Sequence, residues 1–354
     1  MRAPAALFGT LAVPAIWVLA RRAFGPRAAL LAGLLAAVSP YLVYFSKEAR
    51  GYSLLILLTV LALGLGREAV RQGRTGARIG WAIVAVLGLH THYFFAFVPL
   101  AQAAALPLGP EAGRRLRRML VPAFAVAVAC VPWAAYAAAN LLEQDRSYVG
   151  SPFGNIATTL LRFATGYSLS VLDSRSMTAP LADRIRETLP AALATLLVFA
   201  PLLVLGVRRA WRSPEDGRPL VALLALPPAI LVALAPVIPL LHDRYLAFAA
   251  PAFVILVALG AASLRPGLGT IAMILVVAVS LAGNARELLG DRCRKEDWRA
   301  AARLVEERER PGDELVVHLD HMHWAFRHYY RGASRLVAEE EREPGRSVWL
   351  VESH

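Results

Sequence analysis

Cysteine, lysine and early acidic residues are scarce in this sequence. The 354 residues contain two cysteines, Cys130 in an apolar run and Cys293 in a polar segment, so a small fold held by several disulfides is excluded. Lysine occurs only at Lys47 and Lys295, and the first acidic residue is Glu48. The first 47 residues therefore offer no carboxylate to a catalytic or metal site.

Apolar residues, in contrast, are abundant. They make up 57% of the chain and the mean hydropathy is +0.50, whereas soluble domains are about 45–50% apolar. This excess excludes a disordered or collagen-like chain and predicts a membrane-embedded body.

The charge is unevenly distributed. Residues 285–354 hold 13 basic and 15 acidic residues, and residues 1–284 hold 25 and 11. A nucleic-acid-binding protein gathers its basic residues on one soluble face, but here they stand in short groups between apolar runs. We therefore predict membrane lipids, and no nucleic acid, among the partners.

The apolar runs predict an all-α polytopic membrane protein with about ten transmembrane helices. A span needs about 17–25 residues, and most of the runs approach that length. They lie at 5–20, 28–46, 52–66, 79–90, 93–108, 119–140, 190–207, 219–240, 245–262 and 268–284. We predict a transmembrane domain at 1–284 and a C-terminal α/β domain at 285–354.

Arginine placement predicts the orientation of the spans in a cell membrane. Arginine groups recur in alternate loops, at 21–27, 67–78, 114–118 and 208–218. By the positive-inside rule these loops are cytoplasmic. Residue 1, the turn at 46–52, the segment 141–187 and the tail 285–354 are then predicted to be outside.

The tail has its own pattern of elements. A helical repeat opens at Asp297 and Trp298 and stops at the turn 311–313, which contains proline, glycine and aspartate. Short strands are predicted at 314–319 and 347–351, with a helix at 321–330 between them. These elements make a small α/β appendage.

Three polar turns at the predicted outer ends of spans are candidate sites, because charge near hydrocarbon is costly and usually functional. The first turn holds Lys47, Glu48, Arg50 and Tyr52, the second His90, His92 and Tyr93, and the third His242, Asp243, Arg244 and Tyr245. Each turn taken alone is equally well read as an interfacial anchor or a helix cap. Because all three turns are predicted on the outer side of the membrane, a joint site is favoured. In it, cations bind a phosphate and a carboxylate stays ionised. No zinc-type ligand spacing occurs, so no metal site is predicted.

The same segments resemble one family in the same order. The run from Ser39-Pro40 through Tyr44 to Ser53, which reads SPYLVYFSKEARGYS, resembles a segment of bacterial lipid-linked-sugar glycosyltransferases. These are protein-mannosyltransferase-like enzymes of GT-C fold, including Rgt-type lipopolysaccharide glycosyltransferases and aminoarabinose transferases. The turns at 90–93 and 244–245, the segment 296–299 and the turn 311–313 also follow the pattern.

The resemblance implies inverting transfer of a sugar from a polyprenyl phosphate to a lipid, glycan or protein acceptor at the outer membrane face. A carboxylate acts as base and cations stabilise the departing phosphate. It implies that Glu48 is a supporting acid and that Lys47, Arg50 and Arg244 bind the donor phosphate. Tyr52, His90, His92, Tyr93, His242, Asp243 and Tyr245 are predicted to line the substrate. No cofactor is implied, and the need for a divalent metal is left open.

The family's principal acid, an Asp in the first outer loop, has no matching position before Glu48. We therefore expect an additional span and an Asp-bearing loop upstream of residue 1, and no transfer by the 354 residues alone. Two other functions stay open, a transporter or flippase of a lipid-linked sugar and a non-catalytic partner in envelope assembly. A transporter favours internal repeats and helices broken near the midplane, and neither is evident here.

The arginine alternation makes a topology prediction. Reporter fusions at residues 73 and 300 are expected to report opposite sides of the membrane, with residue 73 cytoplasmic. Alkaline phosphatase and fluorescent-protein fusions measure this directly. Finding both positions on one side would contradict the topology.

Overall fold

The predicted apolar segments become helices. The computed structural model describes residues 2–106, 111–143, 152–169, 181–235, 243–289, 297–317, 320–337 and 347–351. Within these ranges each of the ten predicted segments coincides with a helix or with helices in tandem. The chain is accordingly an all-α, multi-pass membrane protein with a small additional sheet, as predicted.

The described residues separate into a membrane unit, up to Leu288, and a second unit formed by the tail. The helices of the membrane unit are α1 (Ala3–Phe24), α2 (Pro26–Val38), α3 (Pro40–Lys47), α4 (Tyr52–Gln72), α5 (Thr75–Thr91), α6 (Phe97–Ala105), α7 (Ala112–Glu143), α8 (Pro152–Leu169), α9 (Leu181–Ala194), α10 (Ala200–Trp211), α11 (Arg218–Leu234), α12 (Ala250–Ser263) and α13 (Pro266–Leu289). Short 3-10 turns precede α6 (Tyr93–Ala96) and α12 (Asp243–Ala249), and a π-helical turn (Thr195–Phe199) joins α9 to α10.

Six of these helical stretches are long and apolar enough to cross a membrane, or seven if α2 and α3, bent by 50°, form one span. The bend lies at Ser39, whose side chain accepts a hydrogen bond from the backbone N–H of Leu42, with Pro40 as the first residue of α3. The remaining three predicted segments are the shorter helices Thr75–Thr91, Tyr93–Ala105 and Arg218–Leu234.

Helix α12 forms the centre of the membrane unit. Every residue from Ala250 to Ala261 is buried, which is the pattern of a helix that is apolar all round. Gly206 of α10 and Gly260 of α12 allow the two helices to touch, because a methyl group at either would collide with a backbone carbonyl of the other helix. Large apolar side chains on the outer helices, such as Phe124 and Leu197, are exposed and suit lipid.

Ion pairs hold the arginine-rich end of the membrane unit. Arg67 and Arg71 of α4 pair with Asp216, while Arg115 of α7 pairs with Glu215, both acids lying in the turn before α11. The two acids neutralise part of the arginine charge from which a cytoplasmic location of this end was predicted. The ion pairs therefore join α4 and α7 to the start of α11.

One element of the membrane unit was not predicted. Helix α8 lies inside the segment 141–187, which hydropathy presented as a loop between spans. It is too polar for a span because it carries Asn155, Thr159 and Arg162, yet Thr159 and Phe163 are buried. Tertiary contacts with α3 and with the turn before α12 hold it in place.

The tail forms a three-stranded parallel sheet with two helices. Its elements are α14 (Trp298–Arg308), β1 (Glu314–Val317), α15 (Asp320–Tyr329), β2 (Arg335–Leu336) and β3 (Val348–Val351), with strand order β2-β1-β3. Asp297 caps α14 by accepting a hydrogen bond from the N–H of Ala300 at 3.0 Å. Both predicted helices and both predicted strands are present, and the two-residue strand β2 was missed because it is too short to show alternation.

Candidate active site

A buried carboxylate organises the end of the membrane unit opposite the arginine-rich end. Asp243 is 4% exposed, and its Oδ1 lies 2.6 Å from Nη1 of Arg162. The hydroxyl of Tyr167 donates to Oδ2, and the hydroxyl of Tyr41 donates to the backbone carbonyl of Asp243 at 3.0 Å. Helices α3 and α8 therefore meet at the turn that precedes α12.

Arg244 is placed by this arrangement. It follows Asp243 in the same 3-10 turn and is half-buried, close enough to Tyr52, Asp243 and Tyr167 for its charge to interact with them. Asp243 also pairs with Arg162 and accepts a hydrogen bond from Tyr167. The turn therefore carries a second guanidinium group, that of Arg244, beside the carboxylate that Arg162 already contacts.

The first turn supplies the acid and the second cation. Glu48 is buried, and its Oε1 accepts a hydrogen bond from the hydroxyl of Tyr44 at 3.2 Å. Lys47 Nζ lies 2.6 Å from Oε1 of Glu287 near the end of α13. Arg50 is exposed on the turn between α3 and α4. The structure thus gives Lys47 a carboxylate partner that the sequence did not indicate.

Aromatic rings connect the three predicted turns. The ring of His92 lies 5.9 Å from that of Tyr52, 4.8 Å from that of Tyr93 and 5.8 Å from that of Tyr245. The ring of Tyr44 lies 4.3 Å from that of Tyr167. The turns at 47–52, 92–93 and 243–245 consequently form one cluster, which we call the Asp243 cluster.

His92 enters the cluster as a neutral ring. Burial lowers the pKa of His92 to about 4, and its Nδ1 accepts a hydrogen bond from the backbone N–H of Phe94 at 3.2 Å. At neutral pH the ring therefore offers an Nε2–H donor and no charge.

Among the described residues, one predicted site residue, His90, is not in the Asp243 cluster. His90 is exposed, with Nδ1 2.9 Å from the carbonyl of Val86 and its ring 5.7 Å from that of Trp133 on α7. His242 lies outside the described residues. The roles of both remain predictions.

The sequence reasoning missed Arg162, Tyr167 and Glu287. Arg162 and Tyr167 lie on α8, and Glu287 is 240 positions from its partner Lys47. The only sequence signal for Arg162 was a single arginine in a segment of mixed polar and apolar residues. Such an arginine fits a buried ion pair as well as a loop. Glu287 carried no signal, because acidic residues are frequent in the tail that follows.

A separate cavity of about 380 Å³ lies near the arginine-rich end. Its walls are mainly apolar, and Arg67, Arg115 and Asp216 stand among its few polar lining residues. Arg67 lies 15 residues along α4 from Tyr52, or about 22 Å at 1.5 Å per residue. The cavity therefore belongs to the other end of the membrane unit, and its composition suits a lipid chain better than a sugar.

A search for metal ligands among the described residues gives a negative result. Within the described ranges, no group of three or more His, Cys, Asp or Glu side chains could hold a metal ion. The tail also has a histidine-rich stretch whose spacing matches no standard zinc site; of it, His318 lies outside the described ranges, as do the side chains of His321 and His323.

Comparisons with known proteins agree with this architecture. A family model described as dolichyl-phosphate-mannose-protein mannosyltransferase matches residues 1–142. That region contains Lys47, Glu48 and His92 but ends before Asp243 and Arg244. No curated protein matches the chain.

Among solved structures, ArnT from Cupriavidus metallidurans in the apo state has a TM-score of 0.61 at 17% identity, over 98% of this chain and 74% of that one. The same ArnT bound to undecaprenyl phosphate has a TM-score of 0.41 at 16% identity, over 99% and 75%. The Archaeoglobus fulgidus oligosaccharyltransferase with zinc and sulfate has a TM-score of 0.47 at 17% identity, over 93% and 49%.

The fold shared with apo ArnT confirms the GT-C fold predicted from the sequence, and the family match over residues 1–142 agrees with the resemblance.

The buried pair of Asp243 and Arg162 makes a stability prediction. Arg162→Met or Asp243→Asn leaves one buried charge without its partner, at a cost of about 3–5 kcal/mol. The double variant removes both charges and is expected to lose less than the sum of the two single losses. Thermal unfolding of the detergent-solubilised protein measures all three.

Arg208→Met, at an exposed arginine of α10, is the control and should leave the unfolding temperature nearly unchanged. Losses that simply add in the double variant would show that the two side chains are not coupled.

Proposed function

We propose that this chain is a membrane glycosyltransferase that takes its sugar from a polyprenyl phosphate. One observation carries the proposal. Arg244, Lys47 and the buried carboxylate of Glu48 lie on turns that the aromatic rings of Tyr52, His92 and Tyr245 join into one cluster at the ends of apolar helices. An anionic head group attached to a hydrocarbon chain fits this combination, because the head meets cations while the chain stays in lipid.

The aromatic rings suit the sugar. Tyr52, Tyr93 and Tyr245 surround the neutral His92, and sugars bind to such surfaces through their C–H faces and hydroxyl groups. The Nε2–H of His92 supplies a donor without adding charge beside the phosphate. The arrangement supports the substrate-lining role that the resemblance implies for these four side chains.

The proposed reaction is an inverting displacement at the anomeric carbon. An acceptor hydroxyl oxygen forms the new bond to that carbon while the bond from the carbon to the phosphate oxygen breaks. The hydroxyl proton passes to the carboxylate that the resemblance assigns to an Asp of the first outer loop, a position with no match in these 354 residues. The polyprenyl phosphate departs with the electron pair of the broken bond. Glu48 is the supporting acid, and Arg244 and Lys47 stabilise the charge that grows on the phosphate.

We place the cluster on the outer face of the cell membrane, where the arginine alternation predicts it. The acceptor is a lipid, a glycan or a protein that presents a nucleophilic hydroxyl group. Arg50 is exposed at the same turn and is suited to guide the anionic head group into the cluster.

Arg244→Ala tests the phosphate role. Undecaprenyl phosphate is the probe, and its affinity for the detergent-solubilised protein is expected to fall by about 1.5–3 kcal/mol, the value of a charge-assisted hydrogen bond. This corresponds to a weakening of about 10- to 150-fold. Microscale thermophoresis or native mass spectrometry measures it.

Arg208→Ala is the matched control, since it removes an exposed arginine outside the cluster. It should leave the affinity unchanged. An Arg244→Ala protein that elutes as a single folded species and binds the probe as tightly as the unaltered chain would remove Arg244 from the phosphate site.

A further inference from the structure

Lys47, which is proposed to bind the donor phosphate, has a carboxylate partner. Its ammonium group is 2.6 Å from Oε1 of Glu287, whose side chain is 8% exposed, whereas the Lys47 side chain is 39% exposed. The second oxygen, Oε2, is buried and makes no hydrogen bond to any residue that the structure describes. A carboxylate with one oxygen on Lys47 and one oxygen unengaged thus stands directly beside the predicted phosphate position.

The fold holds Glu287 in this place. Gly283, one turn earlier on α13, accepts a hydrogen bond at its carbonyl from the hydroxyl of Ser168 at 2.6 Å. Asn284 donates from its amide to the carbonyl of Val38 at 2.7 Å. Gly283 also lies against Pro40, where an added methyl group would approach the proline ring to 3.0 Å. The end of α13 is therefore fastened to α8 and to the bend between α2 and α3.

The carboxylate changes what Lys47 offers to a phosphate. An ammonium group has three donors in a tetrahedral arrangement, so one can serve Glu287 while another serves a phosphate oxygen. That oxygen would then lie about 4–5 Å from the carboxylate, since each charged hydrogen bond spans about 2.8 Å. Like charges at that distance repel strongly in a partly buried site.

The two lipid phosphates of the reaction differ in charge. The donor is a phosphodiester and carries one negative charge. The product is a phosphomonoester with a second pKa near 6, so it carries almost two negative charges above neutral pH. Repulsion from Glu287 therefore acts more strongly on the product.

We infer that Glu287 is a specificity-determining residue that makes the phosphate end of the cluster prefer a lipid phosphodiester to the corresponding phosphomonoester. The inference rests on the proposed function. Its consequence for the reaction cycle is that Glu287 helps to expel the spent polyprenyl phosphate, which competes with incoming donor for Lys47 and Arg244.

The experiment compares two lipids that differ in this charge and in a single methyl group. Undecaprenyl phosphate and its methyl ester, a phosphodiester, are titrated against the full chain in lipid nanodiscs at pH 8 and low ionic strength. The quantity measured is the ratio of the monoester dissociation constant to the diester dissociation constant. Glu287→Gln is expected to lower this ratio by about tenfold or more, because a nearby like charge shifts such equilibria by about one to three decades.

Two further variants distinguish charge from structure. Glu287→Asp keeps the negative charge and should leave the ratio close to that of the unaltered chain. Glu68→Gln removes a carboxylate that pairs with Arg22 at the arginine-rich end and should leave the ratio unchanged.

If Glu287→Gln does not fold, the double variant Lys47→Gln/Glu287→Gln removes the pair together. Its ratio is compared with that of Lys47→Gln, and a lower ratio in the double variant supports the inference.

The contradicting outcomes are separable. A Glu287→Gln protein that changes the affinity for both lipids by the same factor, or for neither, overturns the role of Glu287 and leaves the proposed function in place. An unaltered chain that binds neither lipid overturns the proposed function and this inference with it.

Discussion

The interaction on which the site depends is the buried contact of Asp243 with Arg162 and Tyr167. A carboxylate that is 4% exposed is costly unless it is paired and hydrogen-bonded. The helix that supplies its partners, α8, must therefore remain docked against the turn that precedes α12 whenever the membrane unit is folded. Because Arg244 is the next residue in the same turn, its position follows from the same contact. Charge compensation inside the unit thus fixes the cation proposed to hold the donor phosphate.

A second constraint is steric, and it brings the distant residues of the cluster together. Pro40 lies where three helices meet, and glycines stand on the other two, Gly166 of α8 and Gly283 of α13. Gly166 has a φ of +73° that favours glycine, and an added Cβ there would meet the ring of Pro40 at 2.5 Å. Because of this close approach, the end of α13 lies next to the end of α3, and Glu287 pairs with Lys47 there. The charge balance beside the phosphate is consequently a product of backbone packing.

Much of the fold could be predicted from the sequence because hydrophobic runs and caps are local signals. Each apolar segment proved helical, and the tail elements followed from Asp297, the turn 311–313 and the apolar strand residues. The clustering of Tyr52, His92 and Tyr245 could be anticipated from the shared side of their turns. Helix α8 and Glu287 could not, because their placement depends on partners 76 to 240 positions away that no local pattern encodes. His90 shows that even residues close in sequence can be misassigned. It lies two residues before His92, but its ring packs near Trp133 and not in the cluster.

The measurement that bears most directly on the central claim is an experimental structure of the chain in nanodiscs with undecaprenyl phosphate. The proposed function predicts phosphate density within hydrogen-bonding distance of Arg244 and Lys47, with the prenyl chain leaving the Asp243 cluster along the apolar helices. Phosphate density at Arg67 and Arg115 instead, in the cavity of the arginine-rich end, would contradict it.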